Sequence, residues 1–454
     1  MPATRTSHRG PIGVLGLWHL GSVTAACLAE AGYAVIGVDP DAGLVAELRE
    51  GRPPVAEPGL AELLVEYSTR LHFSADVNAL SDAACAWVAF DTPVDDNDVA
   101  DVDWVLERSA QMLAALPADE LVVVSSQLPV GSVARLRERC AAARGEDSLR
   151  FACLPENLRL GQALDAFRAP DRIVAGVRDE RDRSQLSELL ASVPADVQWM
   201  SVESAEMTKH ALNGFLATSV AFINEVAVIC EAVGADAAEV SRGLKSECRI
   251  GPGAYLAPGG AFAGGTLARD VGFLRALAES HGLPASVFAG VAAGNAAHER
   301  WPRRKLGQLV HDGGGPQRGD TVGVWGLTYK PGTDTLRRSS AVELCGWLVD
   351  RGVSVRAHDP AVTRLPAGLA AVQLCDSPLQ AAEGADALVV CTAWPLYREV
   401  DAGAVANALR GVVVIDAAGF LLGSLGSHPG MCYARVGSPQ PEHAHVSSAR
   451  EVSR

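Results

Sequence analysis

Two distant stretches of the chain carry the same order of local signals: a short apolar run, a glycine turn, a helical segment and a second apolar run. The first stretch covers residues 12–40 and the second covers residues 322–360. The matching positions are the turns Gly16-Leu17 and Gly326-Leu327 and the ends Asp39-Pro40 and Asp359-Pro360. Short β-rich runs that alternate with helical periodicity predict parallel strands joined by right-handed crossovers. The repeat therefore predicts two similar α/β units in one chain.

The remaining periodicity places helical structure between the two units. Residues 204–233 carry apolar residues at helical spacing with few breakers, and a second helical stretch covers 284–310. We therefore predict an α/β fold with two Rossmann-like parallel-sheet domains joined by a long central helix and a helical middle domain. At roughly 150 residues per domain, 454 residues give about three domains. The predicted parts are an N-terminal Rossmann domain at 1–200, a central helical domain at 201–311, a C-terminal Rossmann-like domain at 320–438 and a flexible tail at 439–454.

Composition and charge exclude several classes of protein. With 48% hydrophobic and 20% charged residues the chain has an ordinary globular composition, and no apolar run approaches the ~20 residues of a membrane span. The net charge of −15, without a stripe of lysine and arginine, predicts no binding of nucleic acid. Ten cysteines without a CxxC pair or a tight Cys/His cluster predict buried thiols, no metal site and a reducing, cytoplasmic compartment.

The turn of the first unit reads GLWHLG over residues 16–21, which resembles the glycine pattern of dinucleotide-binding domains. Gly16 permits a tight turn, Gly21 permits close packing of helix on strand, and the helix N-terminus offers amides to a pyrophosphate. Asp39 is placed to bond the adenosine ribose, which favours NAD over NADP. Trp18 occupies the position of the middle glycine, so a Rossmann-shaped domain that no longer binds a dinucleotide is the alternative. The predicted cofactor contacts of this turn are Gly16, Trp18, His19, Leu20, Gly21 and Asp39.

Residues 249–270, RIGPGAYLAPGGAFAGGTLARD, resemble the active-site segment of the UDP-glucose/GDP-mannose dehydrogenase superfamily, which reads GFGGSCFPKD. Thr266 stands where that family has a cysteine. The resemblance implies two hydride transfers from one sugar carbon, with the cysteine thiolate holding first a thiohemiacetal and then a thioester. A free thiol has a pKa of about 8.5 and an alcohol a far higher one, so Thr266 does not readily form such an adduct. Similar motifs follow in the family's order from residue 12 to residue 437.

Two loops of the N-terminal half resemble cofactor loops of the family. DTPV at residues 91–94 is similar to VxTP, which implies that Thr92 and Pro93 approach the cofactor. SSQLPVGS from Ser125 is similar to KSTVPVGT, so Ser125 replaces a lysine and Gln127 replaces a threonine near the reacting centre. Gln127 is therefore a further predicted cofactor contact and a departure from the family pattern.

PENLRLGQAL, residues 155–164, resembles PEFLxEGxA and supplies a candidate proton carrier. Glu156 is kept and is a candidate general acid or base that acts through water. Leu158 is a predicted substrate contact. Asn157 and Leu160 stand where the family has a phenylalanine and a second glutamate, which puts in doubt any step that depends on the second carboxylate.

Lys209 and Asn213, four residues apart on the predicted long helix, share one face. TKHALNGFLA resembles the family's K-x-x-x-N element, which implies that Lys209 stabilises oxyanion charge and that Asn213 holds a water or a sugar oxygen. Asp270 matches the family aspartate that assists removal of the alcohol proton. The alternatives are a solvated surface lysine and an aspartate that caps a helix. Together with Glu156 and Thr266, these three residues complete the predicted catalytic set.

The predicted sugar contacts lie in the glycine-rich loop and in the C-terminal unit. Gly259 and Gly264 belong to a backbone loop suited to surround a sugar, although such loops are also common as simple turns. GLTYKPGTDTLRRSS from residue 326 resembles GLAFKxxTDDxRxS, which implies a sugar or phosphate contact at Lys330 and a cofactor contact at Arg337. Two further predicted substrate contacts are Arg249, which resembles an arginine that reaches a neighbouring subunit's substrate, and Tyr255.

The resemblance implies an NAD-dependent enzyme that oxidises the C6 hydroxyl of a nucleoside-diphosphate hexose, UDP-glucose or a similar UDP-hexose. Because Thr266 does not readily trap the carbonyl, we predict that the reaction stops at the aldehyde. Two alternatives remain open: an epimerase or rearrangement enzyme that retains NAD without net oxidation, and a catalytically silent protein that binds the sugar nucleotide. A homodimer built on the long helix is also implied, without a nucleic-acid or membrane partner. The departures that motivate the altered chemistry are Gln127, Leu160, Thr266, Ala268 and Ala418.

Overall fold

The computed structural model describes residues 10–95, 100–146, 148–156, 158, 160–263 and 265–439. The chain divides into two compact units, with the boundary between Leu212 and Asn213. Asn157, Gly264 and the predicted tail from residue 440 onward lie outside the described residues.

The first unit is built around one sheet. Its described strands are β1 (Ile12–Leu15), β2 (Val35–Val38), β3 (Leu71–Ser74), β4 (Cys85–Val88), β5 (Leu121–Val124), β6 (Arg150–Cys153), β7 (Ile173–Gly176) and β8 (Val197–Met200). They lie in the order β3-β2-β1-β4-β5-β6-β7-β8. The first six positions follow the order of a doubly wound dinucleotide-binding sheet, in which ligands bind at the carboxyl ends of the strands.

The second unit contains a smaller sheet with the same winding. Its described strands are β9 (Thr321–Trp325), β10 (Ser354–His358), β11 (Val372–Leu374), β12 (Ala387–Val390), β13 (Val413–Asp416) and β14 (Cys432–Ala434). They lie in the order β11-β10-β9-β12-β13-β14, which repeats the order of the first six strands of the larger sheet. The predicted fold class, with two Rossmann-like α/β sheets, is confirmed.

Helices cover the central strands of both sheets. The described α-helices are α1 (His19–Glu30), α2 (Ala42–Arg49), α3 (Leu60–Glu66), α4 (Val102–Leu113), α5 (Ser132–Arg144), α6 (Ala163–Arg168), α7 (Glu180–Leu189), α8 (Val202–Val233), α9 (Ala237–Ser246), α10 (Thr266–Ser280), α11 (Ser286–Glu299), α12 (Trp301–Leu309), α13 (Ser340–Asp350), α14 (Pro378–Ala382) and α15 (Ala402–Ala408). Strands β1, β4 and β5, and β12 and β13, are buried at every position. Because both faces are covered, these strands carry continuous apolar runs instead of alternating ones, interrupted only by Asp416 at the end of β13.

Two local details differ from the sequence predictions. The helical stretch predicted over 284–310 is two helices, α11 and α12, because Pro302 lies in the first turn of α12 and has no amide hydrogen for a continuous helix. Strand β7 runs antiparallel to β6, which it meets at Cys153 and Gly176, and then pairs in parallel with β8. The reversal extends one end of the sheet and leaves the first six strands in their predicted parallel arrangement.

The sequence repeat is also a repeat of hydrogen bonds. The turn glycine has a φ of +84° in the first unit and +87° in the second, a left-handed conformation that favours glycine. The equivalent bonds run from Leu17 N to Asp39 Oδ2 at 2.8 Å and from Leu327 N to Asp359 Oδ2 at 2.7 Å. In each unit the aspartate at the end of the second strand therefore fixes the turn that follows the first strand.

The long helix α8 is apolar over much of its length. By length and composition alone, α8 is long and apolar enough to cross a membrane, although the sequence predicts no membrane span. In its most apolar 18-residue window, 44% of the residues are buried inside the protein. A helix packed inside a globular protein meets the same requirement. The absence of a membrane span therefore stays a prediction.

Candidate active site

The turn between β1 and α1 is a cradle with no room for side chains at its two glycines. A Cβ atom at Gly21 would lie 1.6 Å from the carbonyl oxygen of Gly16, and a Cβ atom at Gly16 would lie 2.6 Å from the ring of Phe90. The helix therefore rests directly on the turn backbone. This close approach leaves the first amides of α1 at the carboxyl edge of the sheet, where a dinucleotide pyrophosphate binds in this fold.

The two repeated aspartates differ in how many donors they already serve. Asp359 accepts five hydrogen bonds. Its Oδ2 accepts four, more than its two lone pairs serve singly, from Leu327 N, Thr328 N, Thr328 Oγ1 and Trp394 Nε1, and its Oδ1 accepts one from Ala361 N. Asp39 accepts from two described donors, Leu17 N and Asp41 N. Asp39 thus retains acceptor capacity on both oxygens for the hydroxyls of a ribose, whereas Oδ2 of Asp359 retains none. The indole of Trp394 completes the structure of the second turn.

The other predicted residues of the first turn have definite contacts. Trp18 is the residue before α1 and is 43% exposed. His19 Nε2 lies 3.0 Å from Glu57 Oε2. Leu20 N donates to Asp91 Oδ2 at 3.1 Å, so a carboxylate from the loop after β4 meets the N-terminus of α1.

Glu57 is a buried carboxylate that the sequence analysis missed. It accepts hydrogen bonds from Gly161 N and Ala163 N, both at 2.8 Å. Burial by itself raises the pKa of Glu57, but the bonds from Gly161, His19 and Ala163 outweigh burial and lower the pKa below its ordinary value. The residue ties the start of α1 to the segment that follows Glu156. Its partners are 38 to 106 residues away in sequence, so no local pattern indicates it.

The two predicted cofactor loops of the first unit meet. Thr92 Oγ1 donates to the carbonyl oxygen of Gln127 at 2.7 Å, while Pro93 lies exposed on the same loop. Ser125, which replaces a lysine of the family, is buried, accepts from Trp87 Nε1 at 2.8 Å and donates to Leu154 O at 2.7 Å. The polar position left by the lysine is thus filled by a buried hydrogen-bond chain.

Glu156 and Lys209 line one pocket of the first unit, together with Gln127. Lys209 Nζ donates to the carbonyl oxygen of Glu156 at 2.6 Å. Burial raises the pKa of the Glu156 carboxyl, although the charge of Lys209 and a hydrogen bond from Leu158 N lower it in part. A carboxyl whose pKa is raised by burial keeps its proton to a higher pH than a solvated carboxyl does, which makes it a candidate proton carrier. The pocket therefore carries groups for both proton transfer and charge stabilisation.

Glu206 is a second buried carboxylate of this pocket that the sequence analysis missed. It accepts from Gly131 N at 2.8 Å and Val133 N at 2.9 Å, at the start of α5. Burial raises its pKa despite these bonds. Because Glu206 precedes Lys209 on α8 by three residues, it fixes the loop of Gln127 against the helix that carries the lysine.

Asn213, Asp270 and Thr266 belong to the second unit. Asn213 Nδ2 donates to Asp270 Oδ2, and both side chains are buried. Thr266 is the first residue of α10, one turn before Asp270, and it is exposed. Asp270 is therefore held by an amide and does not cap the helix, which begins four residues earlier. The exposed hydroxyl of Thr266 occupies the helix N-terminus.

The glycine-rich loop that precedes α10 is held by three buried polar side chains. Asn224 accepts from Gly259 N at 3.0 Å and donates to Gly260 O at 3.1 Å. Asn295 forms the equivalent pair with Phe262, and His298 Nε2 lies 2.8 Å from Gly259 O. Burial lowers the pKa of His298, which favours the neutral ring that donates one hydrogen. Side chains from α8 and α11 thus hydrogen-bond the backbone of the loop, in the way that a neighbouring strand bonds a strand in a sheet.

The remaining predicted substrate residues have varied surroundings. The side chain of Arg249 is 85% exposed and pairs with Glu247, and Tyr255 is also exposed. Lys330 Nζ lies 5.6 Å from the ring centre of Tyr329, and Arg337 is exposed on the same loop. Leu158 packs against the core of the first unit. Their roles in binding stay predictions. Among the described residues no group of three His, Cys, Asp or Glu side chains could hold a metal ion.

Comparison with known proteins decides the family. Models of the UDP-glucose/GDP-mannose dehydrogenase family match three segments: the NAD binding domain at residues 11–193, the central domain at 203–297 and the UDP binding domain at 323–422. The chain belongs to this family. The match to the NAD binding domain confirms the predicted cofactor, NAD. The matched segments follow the predicted order of the domains. The residue numbers at which we place the domain boundaries stay predictions.

Two relatives of this dehydrogenase family are similar over nearly the whole chain. The UDP-glucose 6-dehydrogenase of Pseudomonas aeruginosa is 36% identical over 96% of this chain and 99% of its own length. The solved UDP-glucose dehydrogenase of Pyrobaculum islandicum is 33% identical, covers 91% of this chain and 95% of its own, and superposes with a TM-score of 0.81. The chain is an NAD-dependent oxidoreductase of the nucleotide-sugar dehydrogenase type.

A more distant solved structure shares the fold. The NDP-N-acetyl-D-galactosaminuronic acid dehydrogenase of Methanosarcina mazei is 24% identical, with a TM-score of 0.81 over 96% of this chain and 98% of its own. At this identity the likeness concerns the arrangement of the elements alone.

Asp39→Asn is expected to weaken NAD binding about tenfold and to reduce the preference for NAD over NADP. Hydrogen bonds to a charged group contribute roughly 1.5–3 kcal/mol, and about 1.4 kcal/mol corresponds to tenfold in affinity. Calorimetric titration with both cofactors measures the effect. Asp359→Asn is the matched control, because it makes the same change in the second repeat, outside the NAD binding domain, and should leave NAD affinity unchanged while lowering the melting temperature. An equal loss of NAD affinity in both variants would refute the assignment of Asp39 as the residue that bonds the adenosine ribose.

Proposed function

We propose that the chain oxidises the C6 hydroxyl of a UDP-hexose with NAD and releases the C6 aldehyde. The observation that carries the proposal is the first turn of α10, where the segment that resembles the family's cysteine motif presents Thr266. The names of the relatives, both UDP-glucose dehydrogenases, support the sugar nucleotide. The match to the family's UDP binding domain supports the base.

The proposed oxidation balances with one cofactor per sugar. NAD, when bound, accepts the hydride that leaves C6, and the hydroxyl proton leaves through water to Asp270 or Glu156. Lys209 stabilises the alkoxide-like oxygen electrostatically, since a preorganised cation near a developing negative charge lowers the barrier. Asn213 keeps Asp270 in position through the bond between their side chains. The products are the aldehyde, reduced cofactor and one proton.

Thr266 is proposed to hydrogen-bond the aldehyde or its hydrate without adding to it. An alcohol without a dedicated base is almost wholly protonated near neutral pH and is a poor nucleophile. No thiol follows in the adjoining residues of α10, because the ten cysteines lie elsewhere. A second oxidation would therefore have to proceed from the free hydrate, without a covalent intermediate.

A panel of UDP-sugars and GDP-sugars incubated with the protein and NAD tests this function. The proposal expects NADH formation with at least one UDP-hexose and an oxidised sugar in the mass spectrum. A changed sugar without NADH would instead indicate an epimerase or rearrangement enzyme that retains its cofactor. Binding of the sugar nucleotide without any turnover would indicate the silent binding protein. Trp18 in the glycine turn favours this last alternative, because an indole occupies the position of a small residue.

We also propose a homodimer in the cytoplasm. Phe215, Phe222 and Ile229 are exposed at seven-residue intervals on α8, at 69%, 50% and 57%. Apolar residues at heptad spacing form a seam suited to another helix. The absence of disulfides among the ten cysteines, which are all free thiols, supports a reducing compartment. Light scattering of the purified protein is expected to give twice the chain mass, and the mass of one chain at micromolar concentration would oppose the dimer.

A further inference from the structure

Asp91 places a negative charge at the N-terminus of α1. It follows β4 by three residues, and its Oδ2 accepts from Leu20 N at 3.1 Å. Leu20 is the second residue of the helix, and Trp18 before the helix provides no capping bond from its side chain. The helix end is therefore capped by a carboxylate from another strand's loop. Anions are favoured at this end because its amides are unpaired and its dipole is positive.

The same amides are those that the NAD binding domain offers to a pyrophosphate. The cradle formed by Gly16 and Gly21 leaves that helix end at the carboxyl edge of the sheet. A carboxylate and a pyrophosphate compete for one donor, and their charges repel each other. We propose that Asp91 occupies the pyrophosphate position in the free protein and must withdraw from Leu20 N when the dinucleotide binds, so that Asp91 sets the affinity for NAD.

The loop permits this withdrawal as a rotation of one side chain. Asp91 is exposed, whereas its neighbour Thr92 is anchored through the bond from Oγ1 to Gln127 O. The backbone thus stays in place while the carboxylate turns toward solvent. The proposal rests on the NAD binding domain alone, and its binding tests are independent of the sugar chemistry; only the pH readout also rests on the proposed function.

Asp91→Asn tests the proposal, because it removes the charge and preserves the size of the side chain. Calorimetry is expected to give about fivefold tighter binding of both NAD and ADP-ribose, each of which carries the pyrophosphate, as expected for about 1 kcal/mol of charge interaction at a helix end. The affinity for adenosine, which lacks phosphate, should not change. High salt should reduce the gain, since screening weakens interactions between exposed charges.

Asp179→Asn is the matched control. Asp179 is exposed and caps α7 by accepting from Asp182 N at 2.9 Å, so the control makes the same change at another helix end of the same unit. It should leave all three affinities unchanged. Unchanged or weaker NAD binding by Asp91→Asn would overturn the proposal, and so would an equal gain for adenosine. Asp91→Ala, with thermal melting as a check of folding, should show the same sign of effect.

The pH dependence of turnover gives a second readout. The groups whose charges act on Glu156 are Lys209 and His19, which lower its pKa, and Asp91, which raises it. Removal of the Asp91 charge should therefore lower the pKa of Glu156. If ionised Glu156 accepts the proton, the fall at acidic pH of kcat/KM for NAD, which reports groups of the free enzyme, should move to lower pH in Asp91→Asn and stay in place in Asp179→Asn.

Discussion

Gly21→Ala is expected to eliminate NAD binding, with a loss of about a hundredfold or more in affinity. The added Cβ would lie 1.6 Å from the carbonyl oxygen and 2.7 Å from the carbonyl carbon of Gly16. Both atoms belong to the backbone, so no side chain can rotate away and α1 must lift from the turn. Overpacking costs about 1–3 kcal/mol or more, and a displaced helix no longer aims its amides at the pyrophosphate. Calorimetry and thermal melting measure the two effects.

Gly243→Ala is the control for this substitution. Gly243 lies inside α9, and beyond the backbone of that helix no atom of the described residues lies within 4 Å of the position that an added methyl group would take. Alanine is favoured over glycine in a helix by up to about 1 kcal/mol, so this variant should be equally or slightly more stable and should bind NAD normally. Normal NAD binding by Gly21→Ala would contradict the close contact between helix and turn.

Thr266→Cys is expected to create a covalent intermediate that the natural chain does not form. A thiol near a helix N-terminus has a lowered pKa, and its thiolate adds to an aldehyde to give a thiohemiacetal. Loss of the hydroxyl proton to water and of a second hydride to NAD converts that adduct into a thioester and gives a second NADH. Mass spectrometry of the intact variant after incubation with UDP-glucose and NAD should detect the sugar attached to residue 266.

The controls separate the thiol from other effects of the change. Thr266→Ser keeps a hydroxyl at the same helix position and should form no adduct. The double variant Leu160→Glu/Thr266→Cys also restores the second glutamate that the family has at position 160. It should allow hydrolysis of the thioester and release of the sugar acid. Cys248 is the exposed one of the ten natural cysteines, so Cys248→Ala excludes it as the site of the adduct. An adduct on wild-type protein, or none on Thr266→Cys, would contradict the assigned role of the missing sulfur.

The sequence predicts those features of the fold that are encoded locally. The repeated turns at Gly16 and Gly326 identify both Rossmann-like units, because a left-handed glycine and a following helix leave a recognisable pattern. The spacing of Lys209 and Asn213 likewise follows from the period of a helix. These predictions depend on neighbours within a few turns of the chain.

Features that depend on distant partners could not be predicted from the sequence. Glu57, Glu206 and His298 look like ordinary polar residues, yet each is buried against backbone groups that lie 39 to 106 residues away. The hydrogen bond from Leu20 N to Asp91 could not be predicted either, because β4 lies next to β1 only in the folded sheet. Local sequence patterns indicate the helices and strands, whereas the order of the strands in the sheet determines which polar side chains contact each other.

The number of hydrides that leave each sugar tests the role of Thr266 most directly. Purified wild-type protein is incubated with limiting UDP-glucose and excess NAD, NADH is counted by absorbance, and the sugar product is identified by mass spectrometry. We expect one NADH for each sugar consumed and the C6 aldehyde or its hydrate as product. Two NADH for each sugar, with the uronic acid as product, would contradict it.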